Sequence, residues 1–191
     1  MTTMVKQVIA HVGYQGSGKS YACEELIKEQ GFKKLSFADC LRSMAFKVLG
    51  LKYRDGMKNY TELKSTEIYN GQTFRNILEN LGSAIRQHDK DFFARAVVNK
   101  IHKDKIHTSI CIDDLRYVNE YLVLRDYCKQ NNIKFTLVFC DYTSDRYDEE
   151  NQHESTQLSR YLKGLGYKHN QIIRGVDIEL FNFMSSKKCE F

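Results

Sequence analysis

The chain has 191 residues, a net charge of +5 with histidines neutral, 42% hydrophobic residues and 28% charged ones. At roughly 100–200 residues per domain this is one domain, long enough to bury a core without a disulfide or a metal. The composition excludes a disordered chain, a fibrous protein and a small disulfide scaffold, and no apolar run approaches the ~18 residues of a membrane-spanning helix.

Taken in chain order, Gln7 to Val12 is a short apolar run ended by Gly13, the pattern of a buried parallel strand. Lys19 to Gln30 carries Ala22, Cys23, Leu26 and Ile27 on one helical face, and Gly31 closes it. Lys34 to Phe37 reads as a second strand, and Ala38 to Leu49 as a helix closed by Gly50. Leu51 to Gly71 is polar and aperiodic, which predicts a long loop with one helical turn. Thr73 can cap a helix whose stripe is Phe74, Ile77, Leu78, Leu81, Ala84 and Ile85. Asp91 can start another, with Phe92, Ala96, Val97 and Ile101 inward. Ser109 to Ile112 predicts a buried strand ending in Asp113-Asp114; Tyr117 to Gln130 a helix; and Ile133 to Cys140 a strand. Asp141 to Ser155 is polar without an apolar period, and Gln157 to Phe191 predicts a helix, a short strand and a final helix. Strands alternating with helices predict right-handed crossovers, hence a three-layer α/β fold with a parallel sheet.

Proline is absent, so turns fall to Gly, Asn and Asp. The six cysteines contain no C-x-x-C spacing and read as reduced thiols in apolar surroundings. His88, His102, His107 and His169 lack paired ligand spacing. Lys100, Lys103 and Lys105 read as the solvated basic end of a helix rather than a nucleic-acid contact.

Residues 13–20 carry the chemistry: Gly13, Tyr14, Gln15, Gly16, Ser17, Gly18, Lys19 and Ser20 form the pattern G-x-x-x-x-G-K-[ST]. Its glycines let backbone N–H groups wrap an anion, and the helix that follows adds its positive dipole end. Lys19 can reach the β- and γ-phosphates of ATP, and Ser20 can hold Mg²⁺. A strand before the loop and a helix after it complete the context. Nucleoside triphosphate binding follows.

The chain lacks the N-K-x-D pattern of a GTPase and is short for a motor. Small kinases of metabolites and nucleotides remain. Such an enzyme needs cations for an acceptor phosphate and a lid that excludes water. Residues 141–156 are the lid candidate; Arg146 is the arginine it offers to the transferring phosphoryl group, with Arg160 just beyond. Asp113 and Asp114 end a strand on the edge where ligands of parallel sheets bind. One of the two can serve Mg²⁺ together with Ser20; Asp113 is assigned to it, with Asp114 open as the alternative. Arg116 lies two residues after Asp114, and Glu120 one helical turn after Arg116.

The run Phe37-Ala38-Asp39-Cys40-Leu41-Arg42 resembles the nucleoside monophosphate kinase family, in which an arginine in a D-x-L-R context grips the acceptor phosphate. The resemblance places Asp39 and Arg42 at the acceptor. Leu81-Gly82-Ser83-Ala84-Ile85-Arg86 and Asp114-Leu115-Arg116-Tyr117-Val118-Asn119-Glu120 together look like the deoxynucleoside monophosphate kinases of the bacteriophage type. That resemblance covers about residues 5–160 and implies Arg86 on the acceptor phosphate, with Asp114, Arg116 and Glu120 around the acceptor nucleotide. Lys19, Arg86, Arg116 and Arg146 would be the catalytic cations.

The expectation is a single kinase domain over residues 1–191, with 51–107 as a helical acceptor-binding insertion. It would use ATP and Mg²⁺ to phosphorylate a deoxynucleoside monophosphate for DNA precursor supply. The expected setting is cytoplasmic (the host cytoplasm for a viral protein), without membrane or nucleic-acid partners, and with a homodimer left open. The alternatives are a kinase of the dephospho-coenzyme A or phosphomevalonate type, and a regulatory nucleotide-binding module without turnover. Retention of Lys19, Ser20 and both strand-end aspartates argues against the last.

Overall fold

In the computed structural model, which describes residues 4–140, 157–168 and 171–173, strands and helices alternate as the apolar runs predict. The first half runs β1 (Gln7–Gly13), α1 (Lys19–Gln30), β2 (Lys33–Leu35), α2 (Ala38–Val48), α3 (Tyr53–Lys58), α4 (Tyr60–Ser65), β3 (Glu67–Tyr69) and β4 (Gln72–Thr73). The second runs α5 (Phe74–His88), α6 (Phe92–Lys103), β5 (Ser109–Leu115), α7 (Val118–Gln130), β6 (Lys134–Cys140), α8 (Gln157–Gly164) and β7 (Gln171–Ile173). Residues 141–156, the expected lid, and the expected last helix lie outside the described residues.

The main sheet has five strands in the order β2-β5-β1-β6-β7. β1 is central, parallel to β5 from Gln7 opposite Ser109 and to β6 from Gln7 opposite Lys134. β2 extends the parallel set beside β5. β7 runs antiparallel to β6, so the sheet is mixed at that edge rather than wholly parallel. The chain leaves β1 toward β2 on one side and later crosses to β6 on the other. The carboxyl end of β1 is therefore the switch point at which ligands of such sheets bind.

Alternation along the strands divides the layers. Val8, Ala10 and Val12 share a core with Ile110, Ile112 and Leu115, covered by Phe93 and Val97 of α6, Leu124 of α7 and Leu162 of α8. On the other face Cys23 and Leu26 of α1 pack with Ile9, Phe32 and Cys111. The expected helix at Asp91 forms, but Phe93 and Ala94 are inward while Phe92 is exposed. Two adjacent phenylalanines leave the stripe's phase ambiguous by one residue, and packing against α7 selects the second.

Residues 51–71 are not a loop. They form α3, α4 and the first strand of the β3–β4 hairpin. Met57, Tyr60, Leu63 and Ile68 pack with Phe46 and Phe74 in a second small core. The apolar spacing is present, but it is divided between two short helices and carried by Met57, Tyr60 and Leu63 among polar neighbours. α3 lies so close to α2 that a Cβ on Gly56 would fall 2.0 Å from a Phe46 ring carbon. At the hairpin's end Thr73 caps α5 as predicted: its Oγ1 accepts from Asn76 N at 3.2 Å, and Asn76 Oδ1 accepts from Thr73 N at 3.1 Å.

Candidate active site

The loop at residues 13–20 joins β1 to α1 at that switch point. A Cβ on Gly13 would fall 2.0 Å from the Cys140 carbonyl oxygen, so only glycine lets the loop leave the sheet beside β6. Gly18 caps α1 with a left-handed φ of 86°. Lys19 is nearly buried, and its Nζ donates to the carbonyl oxygens of Gly13, at 2.8 Å, and Tyr14, and to Ser17 Oγ at 3.3 Å. Burial, then the charge of Arg116, draws the Lys19 ammonium down to about 8. Loop N–H groups, a helix N-terminus and a desolvated ammonium make a site for a polyphosphate.

Ser20 Oγ donates to Asp113 Oδ2 across 2.8 Å, and Lys34 Nζ lies 2.5 Å from the same oxygen. The β1–β5 register slips here: Ala10 faces Ile112, but Val12 faces Leu115. The extra residue in β5 sends the two adjacent acids to different partners. Asp113 turns to Ser20. Asp114 instead accepts from Ser36 Oγ, from Phe37 N at 2.9 Å and from Ala38 N at 3.0 Å. Burial nonetheless raises the Asp114 pKa against those hydrogen bonds. Asp114 thus holds the start of α2; the resemblance implies a place for it beside the acceptor nucleotide. A hydroxyl and a carboxylate in contact fit a hard, oxygen-seeking cation such as Mg²⁺, and Ser20 and Asp113 are the residues that could hold it.

The expected acceptor residues include cations. Arg42 Nη2 bonds Asp39 Oδ1 at 2.6 Å and Ser36 Oγ at 3.0 Å, and Lys100 reaches Asp39 Oδ2 at 3.6 Å. Burial opposes the Arg42 charge, but the Asp39 carboxylate outweighs it and holds the pKa above its ordinary value. Arg116 is exposed at the end of β5 and makes no ion pair among the described residues. It is close enough for its charge to lower the Lys19 pKa.

Arg86 is engaged elsewhere. Its guanidinium lies between the Phe93 and Tyr117 rings, at 4.6 and 4.3 Å, and its Nη2 reaches Glu120 Oε1 at 3.2 Å. Glu120 is buried, and its Oε2 accepts from Arg116 N and Tyr117 N, both at 3.2 Å. Burial carries the Glu120 carboxyl up to about 7, against the pull of Arg86. Asn119 donates to Lys90 O at 2.6 Å and Asp91 Oδ1 at 3.0 Å, tying α7 to the α5–α6 turn. These contacts tie α5, α6 and α7 together beside the expected acceptor residues Arg86 and Glu120. Arg146 falls outside the described residues; Arg160 lies half-buried on α8.

Sequence reasoning missed Tyr60 and Lys64, which lie beside Arg42. They stand one turn apart on α4, and Lys64 Nζ sits 4.6 Å from the Tyr60 ring centre. Their four-residue spacing was the available signal.

No protein-family model and no curated protein matches this chain. Among solved structures it is similar to the APS kinase CysC of Mycobacterium tuberculosis in complex with AMPPNP and APS, at 15% identity and a TM-score of 0.39, over 93% of this chain and 87% of that one. A mutant of the same APS kinase gives 13% identity and a TM-score of 0.37, over 87% of this chain and all of the other. A gluconokinase from Sinorhizobium meliloti gives 15% and 0.39, over 83% and 74%. Likeness this distant speaks to neither activity nor substrate, which have to be read from the site's own residues.

Proposed function

We propose that the chain is an ATP-dependent kinase that transfers the γ-phosphoryl group to a deoxynucleoside monophosphate, giving the diphosphate and ADP. The observation that carries this reading is the loop at 13–20 with a desolvated Lys19 and the Ser20–Asp113 pair at the carboxyl end of β1. Arg116, just past β5, and Arg42 on α2 supply cations for an acceptor.

Each part has a role in that reaction. The loop's N–H groups bind the triphosphate, and Lys19 offsets charge that grows on the transferring group. Ser20 and Asp113 would hold Mg²⁺, which supplies charge neutralisation at the β- and γ-oxygens when bound. Arg116 spans the gap toward the acceptor, where a second anion would otherwise be repelled by ATP. The guanidinium fork of Arg42, steadied by Asp39, suits phosphate oxygens. An acceptor that is already anionic needs no general base, and none is assigned. The deoxynucleotide class rests on the resemblance of the Leu81–Arg86 and Asp114–Glu120 motifs.

The test is ADP release measured with ATP, Mg²⁺ and each common deoxy- and ribonucleoside monophosphate in turn. Turnover with deoxynucleotides is the expected result. ATP binding without turnover on any nucleoside monophosphate would overturn the proposal.

A further inference from the structure

Both Lys64 and Arg42 lie against the ring of Tyr60, Nζ at 4.6 Å and Cζ at 5.5 Å from its centre. Arg42 is oriented by Asp39 and Ser36, yet its Nε is buried with no hydrogen-bond partner. Lys64 is half-buried, and no carboxylate pairs with it among the described residues. Its charged neighbours are Arg75, Arg42 and Arg116; after burial, their charges hold its ammonium below its ordinary pKa. Arg116 acts in the same way on Lys19. Arg42 of α2 and Lys64 of α4 thus cluster at the Tyr60 ring. Folding gains nothing from gathering like charges around a half-buried ammonium. Such a cluster is stabilised when an anion enters it.

We infer that Lys64, held over Tyr60 beside Arg42, is an acceptor-binding residue that takes the phosphate of a phosphate monoester. This inference rests on the kinase reading above and adds a residue to its acceptor site. Arg42 already has the Asp39 carboxylate; a neutral alcohol acceptor would leave the charges of Lys64 and Arg116 unmet, whereas a dianionic monoester offsets both. Tyr60 is a positioning residue: its ring face attracts both Arg42 and Lys64 and holds them together.

The experiment is steady-state kinetics with each substrate varied in turn, together with calorimetric binding of the best deoxynucleoside monophosphate without ATP. Lys64→Met should raise the acceptor KM and Kd by about tenfold or more, with the ATP KM within about twofold of wild type. Lys64→Arg should restore most of the affinity, which a merely structural lysine would not require. Tyr60→Phe keeps the ring face and loses the hydroxyl beside Arg42, so it should cost less acceptor affinity than Tyr60→Leu, which should fall between wild type and Lys64→Met. Should Lys64→Met fail to fold, Lys64→Gln gives the same comparison with the polar reach kept. An unchanged acceptor KM and Kd in the Lys64 variants, in an enzyme that phosphorylates monophosphates, overturns the Lys64 assignment and leaves the kinase reading standing. A wild-type enzyme that phosphorylates only uncharged alcohols overturns both.

Discussion

Arg86 and Glu120 join α5 to α7 through one contact, Nη2 to Oε1 at 3.2 Å, with the carboxylate buried and the guanidinium held between two aromatic rings. Removing one partner of such a pair strands the other. Arg86→Ala should therefore destabilise the protein by about 3 kcal/mol, measured by urea unfolding. Arg86→Lys should recover only part of this, because an ammonium does not fill the flat slot between Phe93 and Tyr117. An Arg86→Ala protein of wild-type stability that has lost acceptor binding would return Arg86 to the acceptor phosphate.

Glu120 also predicts a pH dependence. Its folded pKa of about 7 stands above the ordinary 4.5 because burial disfavours the charged form. Between those values the folded state binds more protons than the unfolded one, so stability falls as pH rises. The contribution is complete below pH 4.5 and lost as pH passes through about 7. Unfolding free energies of wild type should fall as pH rises through that range, and the Glu120→Gln curve, whose side chain does not titrate, should lack that slope. Parallel curves would mean that the carboxyl titrates normally.

Asp114 offers a test between two roles. Its carboxylate receives Ser36 Oγ and the N–H groups of Phe37 and Ala38, which open α2. Asp114→Ala should leave those donors unmet and cost about 2–3 kcal/mol. Its acceptor KM should rise only as far as α2 shifts Arg42. Intact stability with a lost acceptor site would favour the direct contact that the sequence resemblance implies.

How far the sequence reveals this site depends on the range of the interactions involved. The phosphate loop is legible because its function needs particular residues at fixed local spacing, from Gly13 to Ser20. The parallel strands are legible as apolar runs between helical stripes. Asp113 and Asp114 are legible as strand-end acids, but their division of labour is not. It depends on a register slip against β1 and on partners in α2 far away in the chain. Tyr60 and Lys64 stay hidden because their short helix packs Tyr60 and Leu63 against Phe46 and Phe74 in a stretch whose polar composition reads as a loop. The Arg86–Glu120 pair spans 34 residues, and nothing local distinguishes it from two catalytic groups.

The close approach at Gly56 tests whether the small core under α3 and α4 governs acceptor binding. A methyl group there would meet the Phe46 ring at 2.0 Å, so α3 or the ring has to move. Gly56→Ala should cost about 1–3 kcal/mol through overpacking, despite alanine's better helix propensity. Because Tyr60 shares that core, the acceptor KM should rise while the ATP KM holds. A variant more stable than wild type would show that the helix relaxes freely and that Phe46 does not fix its position.

Lys19 carries the final prediction. Its ammonium is nearly buried, bonded to loop carbonyls, and lowered to about 8 by burial and by Arg116. An ammonium so desolvated acts on a phosphoryl group through a weak local dielectric, where its charge counts for more than in water. Lys19→Met should keep the fold, because the methionine stem fills the same space, and lose about a hundredfold or more in turnover. Wild-type turnover should also fall on the alkaline side as the free lysine loses its proton near pH 8, with the free-enzyme limb showing in kcat/KM for ATP. In the ATP complex the triphosphate charge stabilises the ammonium, so the same limb in kcat should move to higher pH. A kcat/KM profile flat from pH 7 to 9.5, or a Lys19→Met enzyme within about tenfold of wild type, would remove this lysine from the phosphoryl-transfer step.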